Sequence, residues 1–220
     1  MPRQSRIVIP GLAHHITQRG NYQQQVFERE ANYKQYCEWM QEYAEEHDLD
    51  IIAYCLMHNH IHFIVVPKKK NDLSVVFKTV HMRYAHYLNR QKKAKGHLWQ
   101  GRFYSCILDD KHLFRAIRYV ENNPARAKIV RQPWDYKWSS AKDHVGERKK
   151  PLIKLSPYKR IKKKIWKEYL KETDPDMIEE IRLKTNRGLA VGTDRFIKKL
   201  EALLNRSLKC LSQGRPKKDA

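Results

Sequence analysis

Two histidines separated by a single residue, His60 and His62, are the side chains in this sequence best suited to chemistry. They lie in a largely apolar run, residues 55–66, whose composition is typical of buried strand. Because successive side chains of a strand point to opposite faces, both imidazoles project from the same face. Two imidazoles on one face supply half of a divalent metal site.

Other interpretations of this pair remain open from the residues alone. An alternating pair of strand histidines is more often structural than metal-binding. His58 falls on the same face, so the pattern extends to three imidazoles. An HNH nuclease motif is excluded, because the residues of that motif lie far apart in sequence around a hairpin and a helix.

Hydrophobic periodicity places the pair in an alternating series of strands and helices. The predicted order is strand 13–19, helix 28–47, strand 49–57, strand 60–66, helix 73–91, a short strand ending at 108 and helix 109–123. This order predicts an α+β protein with an antiparallel sheet, of ferredoxin-like or RRM-like type, flanked by helices. We expect strands 49–57 and 60–66 to form an antiparallel pair at the centre of the sheet.

The composition indicates a polyanionic partner. Lys and Arg number 45 against 24 Asp and Glu, which gives a net charge of +21. Nucleic acid is the natural candidate for so basic a chain. No apolar stretch approaches the roughly 20 residues of a membrane-spanning helix, and no apolar signal segment follows Met1. We therefore expect a cytoplasmic protein without a membrane partner.

The chain divides by composition near Gly146. We assign residues 1–146 to a first domain and residues 147–220 to a basic helical extension with a flexible tail, because basic residues become dense from 148 to 171. The four cysteines are scattered without a C-x-x-C pair, which disfavours both a zinc site and a disulfide framework.

A polar helix end precedes Pro124. Tyr119 and Asn123 are four residues apart and therefore share one face of the helix predicted for 109–123. The helix must end near Asn123, because a residue before proline avoids the helical conformation. From composition alone, a core or surface tyrosine would be the default interpretation. For His15 in the first strand, an ordinary strand role and a role near a metal are equally open.

Several short segments together carry a family resemblance. They are IPG at 9–11, HITQRGN at 15–21, AYCLM at 53–57, NHIH at 59–62, GHLWQGRF at 96–103, RYVENNP at 118–124, WSSA at 138–141, GTD at 192–194 and GRP at 214–216. In these segments the chain resembles the single-tyrosine HUH transposases, and most closely the branch associated with repetitive extragenic palindromes (REP). Two positions depart from the pattern: His58 stands where proline is common, and Ala125 where valine is usual.

The resemblance implies a catalytic site. His60 and His62 would hold Mg²⁺ or Mn²⁺, with Asn123 as the third ligand, and Tyr119 would be the nucleophile. His58 and His15 are candidates for supporting roles around the metal. The tyrosine would cleave single-stranded DNA to give a 5′-phosphotyrosine and a free 3′-hydroxyl, in a step that can run backwards to rejoin strands.

The resemblance also implies the DNA partner. The substrate would be single-stranded DNA carrying an imperfect hairpin, with contacts from Arg19, Asn21, Arg102 and Arg215. We expect a monomer, although insertion-sequence relatives that exchange the tyrosine helix leave a dimer open. The alternative is a hairpin-binding protein on the same fold without catalysis. Both histidines and Tyr119 are present, which favours the enzyme.

Overall fold

Alternating apolar residues build a five-stranded sheet in the computed structural model, which describes residues 6–157 and 163–208. The strands are β1 (Ala13–Arg19), β2 (Asp50–Met57), β3 (His60–Val66), β4 (Tyr104–Leu108) and β5 (Ala190–Val191), in the order β2-β3-β1-β4-β5. All neighbouring pairs are antiparallel except β4 and β5, which run parallel. The predicted α+β class with an antiparallel sheet is confirmed, with one short parallel strand added at the edge.

The predicted position of β2 and β3 at the sheet centre is wrong, although the two strands do pair antiparallel. β1 is central, with β3 on one side and β4 on the other, and β2 is an edge strand. A later segment covers the outer side of β2: the Leu56 N–H donates to the Trp138 carbonyl at 2.9 Å, and the Ser140 N–H donates to the Tyr54 carbonyl at 3.0 Å. These bonds pair backbone groups that an edge strand would otherwise leave free.

Helices lie on both sides of the sheet. They are α1 (Glu30–Glu46), α2 (Asp72–Lys92), α3 (Asp110–Glu121), α4 (Asn123–Arg126), α5 (Ala141–His144), α6 (Lys163–Tyr169), α7 (Pro175–Arg187) and α8 (Asp194–Leu204). No helix in the described parts of the chain is long and apolar enough to cross a membrane.

The two faces of the sheet differ in chemistry. On one face Phe63 of β3 packs against the rings of Tyr36 in α1 and Phe77 in α2. On the other face, His62 of the same strand contacts Tyr119 of α3. The alternation of side chains along β3 therefore separates an aromatic core from a polar site.

A local signal fixes the start of α3. The Asp109 carboxylate accepts a hydrogen bond from the His112 N–H at 2.8 Å and caps the helix N-terminus. The helix ends at Glu121, close to its predicted end, and the chain continues after Asn122 into the short helix α4, which contains Pro124. Asn123, the residue before Pro124, is itself helical in α4, so the expected effect of proline on the preceding residue does not account for the end of α3. Tyr119 lies in the last turn of α3.

Residues after 146 pack into the same core as those before it. Trp166, Leu170 and Ile181 belong to the buried cluster that also contains the sheet, and β5 extends that sheet. The Trp166 indole N–H donates at 2.8 Å to Glu121, a fully buried carboxylate on α3. The domain boundary at 146 remains a prediction, but the two sides of it share one hydrophobic interior.

Glu121 has further partners that account for its burial. Its other carboxylate oxygen accepts hydrogen bonds from the Ser140 hydroxyl at 2.5 Å and from His144 Nδ1 at 2.6 Å. Burial lowers the pKa of His144, but the Glu121 charge more than offsets this, so the pKa is raised overall. A buried carboxylate with three donors is tolerated, whereas one that loses a donor is costly.

We predict that Trp166→Phe destabilises the protein by about 1–3 kcal/mol, because it leaves the buried Glu121 carboxylate short of a donor. Urea unfolding followed by circular dichroism measures the free energy of unfolding. Trp138→Phe is the matched control, since Trp138 is also buried and its indole N–H makes no hydrogen bond within the described residues. Equal losses in the two variants would contradict the proposed role of the Trp166–Glu121 bond.

Candidate active site

The pairing of β1 with β3 brings the polar side chains together. His62 lies opposite Thr17 and His60 lies opposite Arg19 in the antiparallel register, so all four side chains share one face. The two imidazole rings of β3 are 5.0 Å apart between centroids. Tyr119, on α3 above this face, lies 5.6 Å from the His62 ring and is only 6% exposed. A single chain therefore holds the phenol against the histidine pair.

These residues line a cleft of about 360 Å³. Its walls come from β1, β3, the end of α3 with α4, and α7; the lining side chains include His15, His60, His62, Tyr119, Asn123, Arg126, Arg182 and Thr185. Among the residues that the structure describes, no aspartate or glutamate lines it. The charged side chains that face the cleft are cations, which suits an anionic ligand such as a phosphodiester.

The imidazoles of the cleft are neutral at physiological pH. Burial, followed by the nearby charge of Arg19, lowers the pKa of His60 to about 3. Burial, followed by the neighbouring His60, moves the pKa of His62 well below its usual value. A neutral imidazole keeps one ring nitrogen with a free electron pair, which is the form that binds a cation.

Hydrogen bonds determine which nitrogen of His60 keeps that pair. His60 Nδ1 lies 2.6 Å from Asn59 Oδ1, and the amide of Asn59 is oriented by its Nδ2 atom, which donates to the Gln23 carbonyl at 3.4 Å. An amide oxygen only accepts, so Nδ1 carries the proton. The electron pair is therefore on Nε2 of His60.

A chain of hydrogen bonds gives His62 the same arrangement. The Thr185 hydroxyl donates to Cys106 Sγ at 3.1 Å, so its oxygen accepts from His15 Nδ1 at 2.8 Å. His15 Nε2 then accepts from His62 Nδ1 at 2.9 Å. This direction leaves the electron pair of His62 on Nε2. His15, predicted only as a supporting residue, is thus in direct contact with His62.

Both Nε2 atoms are without a hydrogen-bond partner within residues 6–157 and 163–208. In those same ranges, no group of three or more His, Cys, Asp or Glu side chains is arranged to hold a metal ion. A site made of two imidazoles and one amide contains only two side chains of those four types, so this finding does not apply to it. The donor atoms of His60 and His62 are therefore compatible with a cation, given a further ligand from outside those four residue types.

Asn123 is four residues after Tyr119, but both ends of its side-chain amide are already hydrogen-bonded within the protein. Its Nδ2 atom donates to the Tyr119 and Val120 carbonyls, each at 3.1 Å, so the amide closes the last turn of α3. Its Oδ1 atom accepts from Arg126 Nη2 at 2.5 Å. Asn123 lines the same cleft as the imidazoles. Its role as the third metal ligand stays a prediction.

Arg126 lies beside the ring of the phenol. Its guanidinium carbon lies 4.7 Å from the centroid of the Tyr119 ring. Its Nη1 atom is buried and has no hydrogen-bond partner within the described residues. Burial lowers the pKa of Arg126, but a guanidinium remains charged at neutral pH. A buried donor without an acceptor is uncommon and favours an anionic ligand at this point.

The other predicted residues do not all line this cleft. Arg19 lines it, whereas Asn21 lies in the turn after β1, where its N–H donates to the Leu98 carbonyl at 2.8 Å. Arg102 is exposed and lines two other clefts. His58 is exposed in the turn between β2 and β3 and is not among the lining residues. Arg215 lies outside the described residues.

Thr185, Arg182 and Arg126 are site residues that the sequence analysis did not identify. The first two come from α7, more than 60 residues after Tyr119, and no motif connects them to the histidines. Arg126 had a detectable signal, since it lies two residues after the Asn-Pro pair that ends the segment containing Tyr119.

The chain is similar in sequence and in fold to known proteins. A Haemophilus influenzae protein described as a REP-associated tyrosine transposase is 26% identical over 119 residues, which cover 49% of this chain and 64% of that protein, less than two thirds of its length. A solved structure entitled as a REP-associated tyrosine transposase bound to a REP hairpin shares the fold, with a TM-score of 0.57, 19% identity and coverage of 72% of this chain and 94% of the other. The family described as "Transposase IS200 like" matches residues 9–123, a little over half of the chain. The chain therefore belongs to the IS200-like transposase family.

Proposed function

We propose that this chain is a metal-dependent transposase of the REP-associated branch, which cleaves and rejoins single-stranded DNA at hairpins through a 5′-phosphotyrosine. The observation that carries the proposal is the contact between Tyr119 and His62 in one chain, beside two imidazole nitrogens with free electron pairs. The branch assignment is supported by the relative from H. influenzae and by the structure solved with a REP hairpin. We further propose that the protein acts as a monomer in the cytoplasm.

The metal would be Mg²⁺ or Mn²⁺, held by Nε2 of His60 and of His62 with Asn123 Oδ1 as the third ligand. The neutral, oriented imidazoles support this choice of donors. Asn123 would have to share or release its bond from Arg126. When bound, such an ion withdraws charge from a phosphate oxygen and aligns the scissile bond.

The proposed reaction exchanges one phosphate ester for another. The Tyr119 phenol oxygen attacks the phosphorus, and the bond from phosphorus to the 3′-oxygen breaks. The phosphate stays on the 5′-oxygen, now esterified to Tyr119, and the proton lost by the phenol is balanced by the one gained by the 3′-hydroxyl. No ester bond is lost, so a 3′-hydroxyl can attack the phosphotyrosine and rejoin DNA without an external energy source.

Arg126 would act on the charges of this step. A free phenol has a pKa of about 10, so the phenolate needs a cation nearby. The guanidinium next to the Tyr119 ring and its unpartnered Nη1 support a contact with the phenolate oxygen or the scissile phosphate. Arg19, in the same cleft, is proposed to contact the DNA backbone, and Asn21 and Arg102 the hairpin or its flank, as is Arg215.

Loss of the nucleophile is the first prediction. Wild-type protein with Mg²⁺ or Mn²⁺ should form a covalent adduct with a labelled single-stranded hairpin taken from the genome that encodes the chain, and Tyr119→Phe should form none. Denaturing gel electrophoresis measures the adduct. Tyr22→Phe is the matched control, since Tyr22 is 93% exposed and outside the cleft, and should react like wild type. Tight hairpin binding by the wild type with no adduct under either metal would favour a binding protein without catalysis.

The hydrogen-bond chain behind His62 gives a second prediction. Thr185→Val keeps the shape of the side chain but removes the oxygen that orients His15, and Mn²⁺ affinity should fall about 10–100-fold. Thr185→Ser should keep most of the affinity, because it restores the hydroxyl. Isothermal titration with Mn²⁺ and no DNA measures this directly. Wild-type affinity in the valine variant, with an unchanged melting temperature, would contradict the role assigned to Thr185.

The third prediction concerns Arg126. In Arg126→Gln the rate of adduct formation should fall about 10–100-fold, the usual effect of losing a hydrogen bond from a charged group. Hairpin affinity should change much less, since other cations contribute to binding. Arg131→Gln removes an exposed arginine five residues away and serves as the control. If both variants slowed the reaction equally, the effect would be one of net charge and not of position.

A further inference from the structure

Arg182 of α7 brings a positive charge to the cleft of Tyr119 from a part of the chain that does not match the family. The family match ends at residue 123, whereas α7 spans Pro175–Arg187. Arg182 nevertheless lines the same cleft as Tyr119 and the two histidines of β3. The cleft is therefore completed by a helix on which the family resemblance places no site residue.

The charge of Arg182 is not balanced by the part of the chain that the structure describes. Within residues 6–157 and 163–208, its side chain makes no hydrogen bond and no ion pair. Arginines on the neighbouring helix α3 do have carboxylate partners; these pairs are Arg115–Asp174 and Arg118–Glu172. A cation without a counter-ion in a cleft lined by other cations favours the binding of an anion there.

The helix that carries Arg182 is fastened on both sides of that residue. At the start of α7, Asp174 caps the first turn and accepts a hydrogen bond from Arg118 Nη2 at 3.1 Å. One turn after Arg182, the buried Thr185 hydroxyl accepts from His15 Nδ1 at 2.8 Å. Residues three apart share one side of a helix, so the bond that orients His15 also sets where Arg182 enters the cleft. Its exposed side chain extends from a fixed backbone.

Arg182 acts electrostatically on both halves of the cleft. Burial is the main cause that lowers the pKa of Arg126, beside the Tyr119 ring; Tyr119 has the opposite effect, and the charge of Arg182 lowers this pKa further. The same charge adds to the effects of burial and of Arg19 on His60, whose pKa falls to about 3. Arg182 is therefore near both the phenol and the imidazoles, the two groups between which a reacting phosphate has to lie.

We propose that the Arg182 guanidinium binds a non-bridging oxygen of the scissile phosphate. The inference rests on the proposed function and adds a catalytic residue to it. Attack of the phenolate on a phosphodiester gathers two negative charges where the free DNA has one, and a cation bonded to those oxygens stabilises that arrangement. A guanidinium suits the task, because its planar fork donates two parallel hydrogen bonds to a phosphate.

Removal of the charge from the phosphate itself tests the contact. The cleaved linkage of a labelled hairpin is first mapped from the wild-type adduct, and the same hairpin is synthesised with one neutral methylphosphonate at that linkage. Fluorescence anisotropy without metal measures the affinity of both DNAs for wild type and Arg182→Gln. The variant should bind the unmodified hairpin about tenfold more weakly than wild type, the effect of losing a hydrogen bond between charged groups. Both proteins should bind the methylphosphonate hairpin within about twofold of each other, since the partner of Arg182 is then already gone.

Lys184→Gln is the matched control, because it removes a positive charge from the same helix, two residues away and outside the cleft. It should change the affinity for both hairpins by the same factor. Equal losses on both DNAs for Arg182→Gln, or the Arg182→Gln pattern in Lys184→Gln, would show a general effect of charge and overturn the inference. A wild type that binds the hairpin but forms no adduct would contradict the proposed function, and this inference with it. Unchanged melting temperatures show that the differences arise from binding and not from folding.

Discussion

The register between β1 and β3 is the constraint on which the rest of the site depends. Thr17 opposite His62 and Arg19 opposite His60 put the imidazoles on the face covered by α3 and α7. A shift of one residue would turn the imidazoles into the aromatic layer and bring Phe63 to the tyrosine. The aromatic contacts of Phe63 with Tyr36 and Phe77 oppose that shift, so the hydrophobic core on one face fixes the chemistry of the other.

Burial and hydrogen bonding then act on the same imidazoles in different ways. Burial removes the proton that would make them cations, because a charge is costly away from water. The bonds to Asn59 and His15 decide which nitrogen of each ring keeps its remaining proton. Without them, the two tautomers of each ring would compete. Asn59 and His15 therefore select the tautomer in which Nε2 of each ring keeps its electron pair.

How far the sequence predicts this site depends on how local each signal is. The period of two along β3 and the i, i+4 spacing of Tyr119 and Asn123 are properties of neighbouring residues, and the predicted strand and helix are found in the structure. Thr185 is 170 residues from His15 in sequence and is brought to it by tertiary packing, so no sequence spacing predicts the contact. The two-residue strand β5 is too short to show a period, and the edge position of β2 depends on the cover by Trp138 and Ser140. Tertiary packing decided each of these features.

The tyrosine is held by parts of the chain beyond the region that matches the family. Glu121, two residues after Tyr119, is fixed by Trp166 of α6, and Arg118, one residue before it, pairs with Glu172 and Asp174. Moving the end of α3 would break these bonds together, at a cost larger than that of any single contact. A helix end so anchored does not travel to meet a substrate. In the proposed reaction, the contacts between protein and DNA would therefore have to bring the scissile phosphate to Tyr119. Cations outside the cleft of Tyr119 and the shape of the hairpin itself would set the register.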